Sequence, residues 1–474
     1  MIDSKQFIIG KNMSHLPENW QTIQLGNGFQ LCYQQELRIW HSDDGRVVLL
    51  GHAWQTDPCR GTPEDEIGSV VRGGCIIHED VYEVEKTWCG RYLLIVDDWI
   101  YLDSSGLLGV FYSNCHVSSS LHVLCGIEGR EIIYPPIEHR KSPDFVPGAA
   151  TCYDGVKRLL PSQIYNYVKG EVKIRPLLPD GIIHTDSDQS RISLFEKYFV
   201  HSLKNMQKHF EGIDLWLALT GGRDSRVTMA SLERAGIPYH SFTLEHGYIS
   251  AADRKIPFKI KKKLKRPHLF ISRADKKFSQ KRYDDYKVHS SGMAVDEDWR
   301  HYAFSQYDDL LGSSGSDSVV ILRSGVWESV CDFFRQFCKS DYNLRELFPF
   351  NSFVQSLDEW YSYVKADKNN EWMTIWDRTY FDLRLGCWLS SVEQSCDIMD
   401  GMTFIQPCNS RIFISILLGF DRIDRIAKKH EEKMVSSLCP SIASIPYDYQ
   451  YYRTFMLMKR AIGKIIRKVW HGKK

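Results

Sequence analysis

The stretch 213–226, IDLWLALTGGRDSR, decides how this chain is read. Residues 215–219 form a short apolar run of the kind found in a fully buried parallel strand. The run stops at Thr220-Gly221-Gly222, and a helical pattern begins near Asp224 and continues to Arg234. Gly236-Ile237-Pro238 ends that helix, and 239–244 reads as the next strand. Strand, paired-glycine turn and helix together predict an anion site. The glycines let backbone approach a phosphate, and free N–H groups at the positive helix end face its charge. Thr220 and Ser225 add hydroxyl donors, and Asp224 is placed to hold a metal that bridges phosphate oxygens. No lysine follows the glycines, which excludes the Walker loop.

Thr220-Gly221-Gly222-Arg223-Asp224-Ser225 resembles the pyrophosphate loop, Ser-Gly-Gly-x-Asp-Ser, of ATP pyrophosphatases. Its context is similar to the asparagine synthetase branch, whose members adenylate a carboxylate and then let an amine attack it. That resemblance implies ATP and Mg2+ as cofactors. It places Leu219, Thr220, Gly221, Gly222, Asp224 and Ser225 on the nucleotide, with Asp224 also catalytic. The strand 239–244 should run beside the first, so that backbone near Leu244 and Glu245 holds adenine at the same sheet edge. A tight strand–helix turn with incidental polar residues is the plain alternative.

A second cluster, Leu310-Leu311-Gly312-Ser313-Ser314-Gly315-Ser316-Asp317-Ser318, resembles the family's second phosphate and metal segment, Leu-Leu-Ser-Gly-x-Gly-x-Asp-Glu. Gly312 and Ser313 stand in swapped order. The resemblance implies that Gly312, Ser313 and Gly315 touch phosphate and that Asp317 shares one Mg2+ with Asp224. Ser318 replaces the expected acidic residue, which counts against aspartate as substrate. The alternative is a Gly-Ser loop at a strand end.

Upstream, residues 1 to about 180 are strand-rich. Short apolar runs at 29–40 and 46–53 are separated by His41-Ser42-Asp43-Asp44-Gly45. A hairpin with an Asp97-Asp98 tip is expected between 89–96 and 99–103. Gly90-Arg91-Tyr92, Asp103, Gly106, Phe111-Tyr112 and the segment 151–161 are similar to the glutaminase-type domain of the same family. Its nucleophile is a cysteine exposed when the initiator Met is removed. Ile2 follows Met1 here and the first cysteine is Cys32, so the domain is expected to be structural and glutamine not to be hydrolysed.

Downstream, Ala251–Lys265 is lysine-dense, and Pro257 is expected to divide it into two short helical pieces. Its charges read as a solvated face, and His246 as a structural histidine. The last third is mainly helical. Arg384, Gln394, Asp397, Asn409 and Arg411 fall where the family reads its acceptor; they suit polar or anionic groups, or pairing on helix surfaces. Residues 405–411 keep only Pro407 of the family signature. Lys428, Arg453 and Lys459 are the cations near the place of the family's transition-state lysine, a role left unassigned among them. The basic amphipathic stretch 458–474 suits either a closing helix on the core or peripheral contact with an anionic membrane.

Net charge is +1, with 43% hydrophobic and 25% charged residues, an ordinary globular balance that suggests no nucleic-acid partner. Thirteen cysteines without a CxxC pair read as reduced thiols of a cytoplasmic protein. The expected fold is α/β: an N-terminal Ntn-hydrolase-like α+β sandwich (1–180), then an adenine-nucleotide-hydrolase-like parallel-sheet domain with a helical C-terminal part (190–474). The expected partners are a small-molecule or peptide carboxylate and an amine, and a homodimer is compatible with the pattern. Three outcomes stay open: amidation of a small acid such as a sugar acid, ring closure or ligation as in β-lactam synthetases and lasso-peptide cyclases, or a scaffold that has lost turnover.

Overall fold

The computed structural model describes residues 5–450, apart from 14–15, 17–18, 73–76, 134–144, 246–248, 273–279, 281–292, 294–297, 339–340 and 350–351. Ile2, His246, Arg453, Lys459 and the 458–474 segment lie outside the described residues.

The N-terminal half is two packed antiparallel sheets. The first joins β1 (Phe7–Gly10), β2 (Trp20–Gln24) and β3 (Gln30–Gln34). The second is built on β4 (Ile39–His41), β5 (Val47–Gln55), β6 (Trp88–Val96) and β7 (Trp99–Leu102), with α1 (Pro63–Arg72) and α2 (His78–Glu85) between β5 and β6. The short β8 (Phe111–Tyr112), β9 (Val117–Ser118) and β10 (Lys157–Arg158) complete the first sheet in the order β10-β8-β9-β1-β3-β2, with α3 (Leu121–Glu128) following β9. The strands β11 (Gln163–Asn166) and β12 (Glu171–Ile174) complete the second, β12-β11-β7-β6-β5-β4.

A strand covered on both faces reads as a continuous apolar run, and β5 and β6 do. Val48, Leu50, Leu93 and Ile95 point into the core shared with Phe7, Ile9, Leu31 and Tyr33. Val47, Leu49, Leu94 and Val96 face outward onto Ile67, Val71, Val81 and Tyr82 of the two helices. The Asp97-Asp98 hairpin forms as expected, with Val96 opposite Trp99 and Asp97 at φ +50.

The C-terminal half is organised on five parallel strands in the order β15-β14-β13-β16-β17. They are β13 (Asp214–Ala218), β14 (His240–Leu244), β15 (His268–Ile271), β16 (Val319–Leu322) and β17 (Met402–Ile405). Alternate residues of β13 serve opposite cores. Leu215 and Leu217 pack with Phe195, Phe199 and Leu203 of α4 (Asp188–His209) and Val227 of α5 (Asp224–Ala235). Trp216 packs with Phe304, Tyr307 and Leu310 of α7 (Asp298–Ser314). Between them in the chain, α6 (Ala251–Leu264) is one helix with Pro257 inside it, not two pieces. A Ser250/Asp253 capping box starts it, and burial of Ala252, Ile256, Pro257 and Ile260 offsets the one backbone bond that proline removes. No helix among the described residues is long and apolar enough to cross a membrane.

The halves meet through a buried polar seam. Arg91 donates to both oxygens of Asp397 at 2.7 Å. Asn409 Nδ2 donates to the Gly90 carbonyl and to Asp103, Gln394 Nε2 to the Leu108 and Ser119 carbonyls, and Arg411 to the Leu102 carbonyl. Four side chains that suited either an acceptor substrate or helix-surface pairing are thus used to join the halves. Arg384, the fifth, lies over the Trp388 ring at 3.4 Å.

Candidate functional site

Because β13 is central and parallel, its carboxyl end opens at the middle of one sheet edge, where α/β sheets bind ligands. The Thr220-Gly221-Gly222 turn lies there and leads into α5. Ser225 Oγ accepts from the Thr220 amide at 3.1 Å, and Thr220 Oγ1 accepts from Gly222 at 3.2 Å. The Gly221 amide donates to Asp253 Oδ1 at 2.6 Å. A carboxylate oxygen therefore already holds this amide. A Cβ on Gly221 would come within 3.2 Å of the Ala252 backbone, so the start of α6 favours glycine here.

Leu219 donates its amide to the Phe242 carbonyl, which ties the turn to β14. Leu244 ends β14 at the same edge. The backbone of Glu245 beside it is engaged: its amide donates to Ile271 and its carbonyl accepts from Gln306 Nε2.

Asp224, in the first turn of α5, meets Lys428. The ammonium lies 2.9 and 3.1 Å from the two Asp224 oxygens and 3.2 Å from Glu328 Oε1. Glu328 is on the turn Trp327–Val330 that follows β16, so it reaches the same carboxyl edge from the neighbouring strand. Lys428 precedes α8 (Lys429–Leu438) in a left-handed conformation, φ +53, unusual for a residue with a Cβ. Burial opposes its charge, but Asp224, Glu431 and Glu328 outweigh burial and hold the ammonium protonated well above the usual lysine range. Burial, then Asp224, pushes the carboxyl of Glu431 well above the usual range.

Arg223 pairs with Glu432 at 2.7 Å, and Arg226 donates to the Ile445 and Pro446 carbonyls while lying 3.9 Å over the Tyr447 ring. These contacts latch the 445–449 segment onto the loop.

Asp317 does not join this site. Leu310 and Leu311 continue the buried stripe of α7, and Gly315, φ +70, stands just past the helix end. Gly312, Ser313, Gly315 and Asp317 therefore lead into the start of β16, at the amino edge of the sheet. Ser316 Oγ reaches Asp214 there, the first residue of β13. A five-residue strand, about 16 Å long, separates that edge from the Gly221–Gly222 turn. Asp317 therefore does not stand beside Asp224 as expected; the carboxylate that meets Asp224 through Lys428 is that of Glu328. Ser324-Gly325, just past β16 and shortly before Glu328, is the sequence signal for Glu328.

No protein-family model and no curated protein matches the chain. Among solved structures it is similar to the NMN synthetase of Francisella tularensis, with 13% identity, TM-score 0.23, and coverage of 41% of this chain and 95% of that one. It is also similar to the NAD+ synthetase of Burkholderia pseudomallei, with 12% identity, TM-score 0.21, and coverage of 54% and 90%. A third is the glutamine-dependent NAD+ synthetase of Acinetobacter baumannii in complex with ADP, with 10% identity, TM-score 0.24, and coverage of 47% and 40%. Likenesses this distant assign no activity.

Proposed function

We propose that the chain binds ATP at the Thr220–Ser225 turn and forms an amide through an acyl-adenylate. The observation that carries this is the meeting of Asp224, Glu328 and Lys428 beside a paired-glycine turn at the carboxyl edge of the central strand. In the proposed reaction a substrate carboxylate oxygen attacks the α-phosphorus, and the bond to the β-phosphate breaks to release pyrophosphate. An amine nitrogen then attacks the acyl carbon, loses a proton, and AMP leaves.

Two carboxylates that share one cation, offered by hard oxygen donors, fit Mg2+, and Asp224 and Glu328 would hold it. When bound, Mg2+ neutralises phosphate charge. The free amides of the first turn of α5 and the Thr220 and Ser225 hydroxyls would orient the phosphates. Lys428 keeps a fixed positive charge beside the leaving pyrophosphate, which favours the transition state over ground-state ATP.

The N-terminal half is read as a structural partner. The cavity lined by Lys5, His52, Arg91 and Asp397 holds about 30 Å3, room for one water. Cys32 on β3 is buried, and Cys89 on β6 donates its thiol to the Pro407 carbonyl. Incubation with ATP, Mg2+ and panels of carboxylic acids and amines tests the proposal. AMP and pyrophosphate, with no glutamate released from glutamine, are the expected products; ADP and phosphate would count against it.

A further inference from the structure

Beside the Asp224–Lys428 pair stand three side chains that the proposed chemistry leaves without a use. One atom each from Cys331, His430 and Glu431 lies within 4.8 Å of the others. His430 and Glu431 are 0% exposed and Cys331 is 7% exposed. Among the described residues, His430 Nε2 has no hydrogen-bond partner, and the only side chain that the Glu431 carboxyl meets as a hydrogen-bond partner is another carboxyl, that of Asp224. Leaving such atoms buried and unpartnered is unfavourable, so a missing partner is the economical account.

Three features identify that partner. His430 Nδ1 faces the Asp424 carbonyl at 3.4 Å, and this contact places the proton on Nδ1 and the free lone pair on Nε2. Metal-binding histidines are oriented in this way by a carbonyl on their other nitrogen. His430 Nε2 and Glu431 Oε1 are 3.9 Å apart. Ligands about 2.1 Å from a tetrahedral ion stand about 3.4 Å from one another, so a small closing movement suffices. Finally, sulfur, imidazole and carboxylate together suit zinc and its neighbours, whereas magnesium takes oxygen alone.

We propose that Cys331, His430 and Glu431 form a binding site for a divalent transition metal, zinc by its donor set, with its fourth position toward Asp224. Binding deprotonates the thiol: the Cys331 sulfur forms a bond to the metal and its proton passes to the buffer. The site would tie α8 to the turn after β16, behind the two carboxylates assigned to magnesium. It does not depend on the nucleotide reading, because the ligands are present whether or not ATP binds.

The test is a Co2+ titration of the full-length protein after chelator dialysis, with no nucleotide present. The expected result is about one equivalent bound, with a thiolate-to-cobalt charge-transfer band that zinc abolishes. The band should vanish in Cys331→Ser, and His430→Gln should weaken binding at least about tenfold. Circular dichroism checks that each variant is folded; should Cys331→Ser fail to fold, the wild-type titration and His430→Gln decide. No band in the wild-type protein would overturn the site. So would an unchanged band in folded Cys331→Ser, or unchanged affinity in His430→Gln. A proton shared by Glu431 and Asp224 would then be the occupant.

Discussion

The ammonium of Lys428 lies 2.9 Å from Asp224 Oδ1, across 204 residues of chain, and joins the start of α8 to the first turn of α5. One cation thereby ties to the paired-glycine turn a helix end that no local sequence rule connects to it.

Lys428→Met should expose the repulsion that this contact suppresses. Asp224 and Glu328 would face each other without a counter-charge, and the fold should lose about 1–3 kcal/mol. Added Mg2+ should restore part of that stability in the variant and do much less for the wild-type protein. Thermal melts with and without Mg2+ check this; a variant indifferent to magnesium would contradict it.

Asp317 and Glu328 make opposite predictions. Asp317→Asn, at the amino edge, should bind Mg2+ and a non-hydrolysable ATP analogue as the wild type does. Asp224→Asn and Glu328→Gln should each weaken binding on the order of tenfold, about 1.4 kcal/mol. Their combination should be less than additive, because the two carboxylates act on one ion. Titration calorimetry of the wild type and the four variants distinguishes the two assignments.

Asp397 and Arg91 carry 5% and 7% side-chain exposure. Asp397→Ala would strand a buried guanidinium and should cost about 3–5 kcal/mol, whereas Arg91→Met with Asp397→Leu should fall closer to wild type. Urea unfolding measures both. A mild effect of Asp397→Ala would return this residue to the list of candidate substrate contacts.

Stability should also fall in mild acid. Burial, aided by Arg38, lowers His209 to about 4, and burial with nearby Lys261 lowers His268 to about 4. Unfolded histidine titrates near 6.5. As pH drops, the unfolded chain takes up these protons first, so the contribution is whole above about 6.5 and is lost toward 4. It amounts to up to about 3 kcal/mol per residue. Asp377, pushed up to about 6 by burial, acts in the other direction, since its folded pKa lies above the unfolded value. Glu431, raised by burial, acts the same way as Asp377, while His52 and His430, lowered by burial, add to the loss from the two histidines. Urea midpoints at pH 7 and pH 5 should show it, and His209→Gln with His268→Gln should flatten the profile.

What could be read from the sequence follows the range of the forces involved. The strand, turn and helix at 213–235 were legible because an apolar run, two glycines and a helical stripe specify them locally. The sandwich strands were legible for the same reason. Leu310-Leu311 was ambiguous: two leucines before a glycine suit a strand end or a helix end, and only contact with Trp216 across the sheet decides. Pro257 was over-read, because tertiary burial tolerates one missing backbone bond. Glu328 was hidden on a turn after a four-residue strand. Asn409 and Arg411 looked like substrate contacts because sequence shows that a side chain is polar, and not which buried carbonyl it satisfies.

Hydrogen exchange, read peptide by peptide with and without Mg·ATP, tests the nucleotide site most directly and needs no knowledge of the acceptor. The amides of Thr220 to Ser225 and the first turn of α5 should slow when Mg·ATP is added, and Asp224→Asn should abolish the slowing. Unchanged exchange there at saturating Mg·ATP, or protection confined to the amino edge around Gly315 and Asp317, would contradict the account.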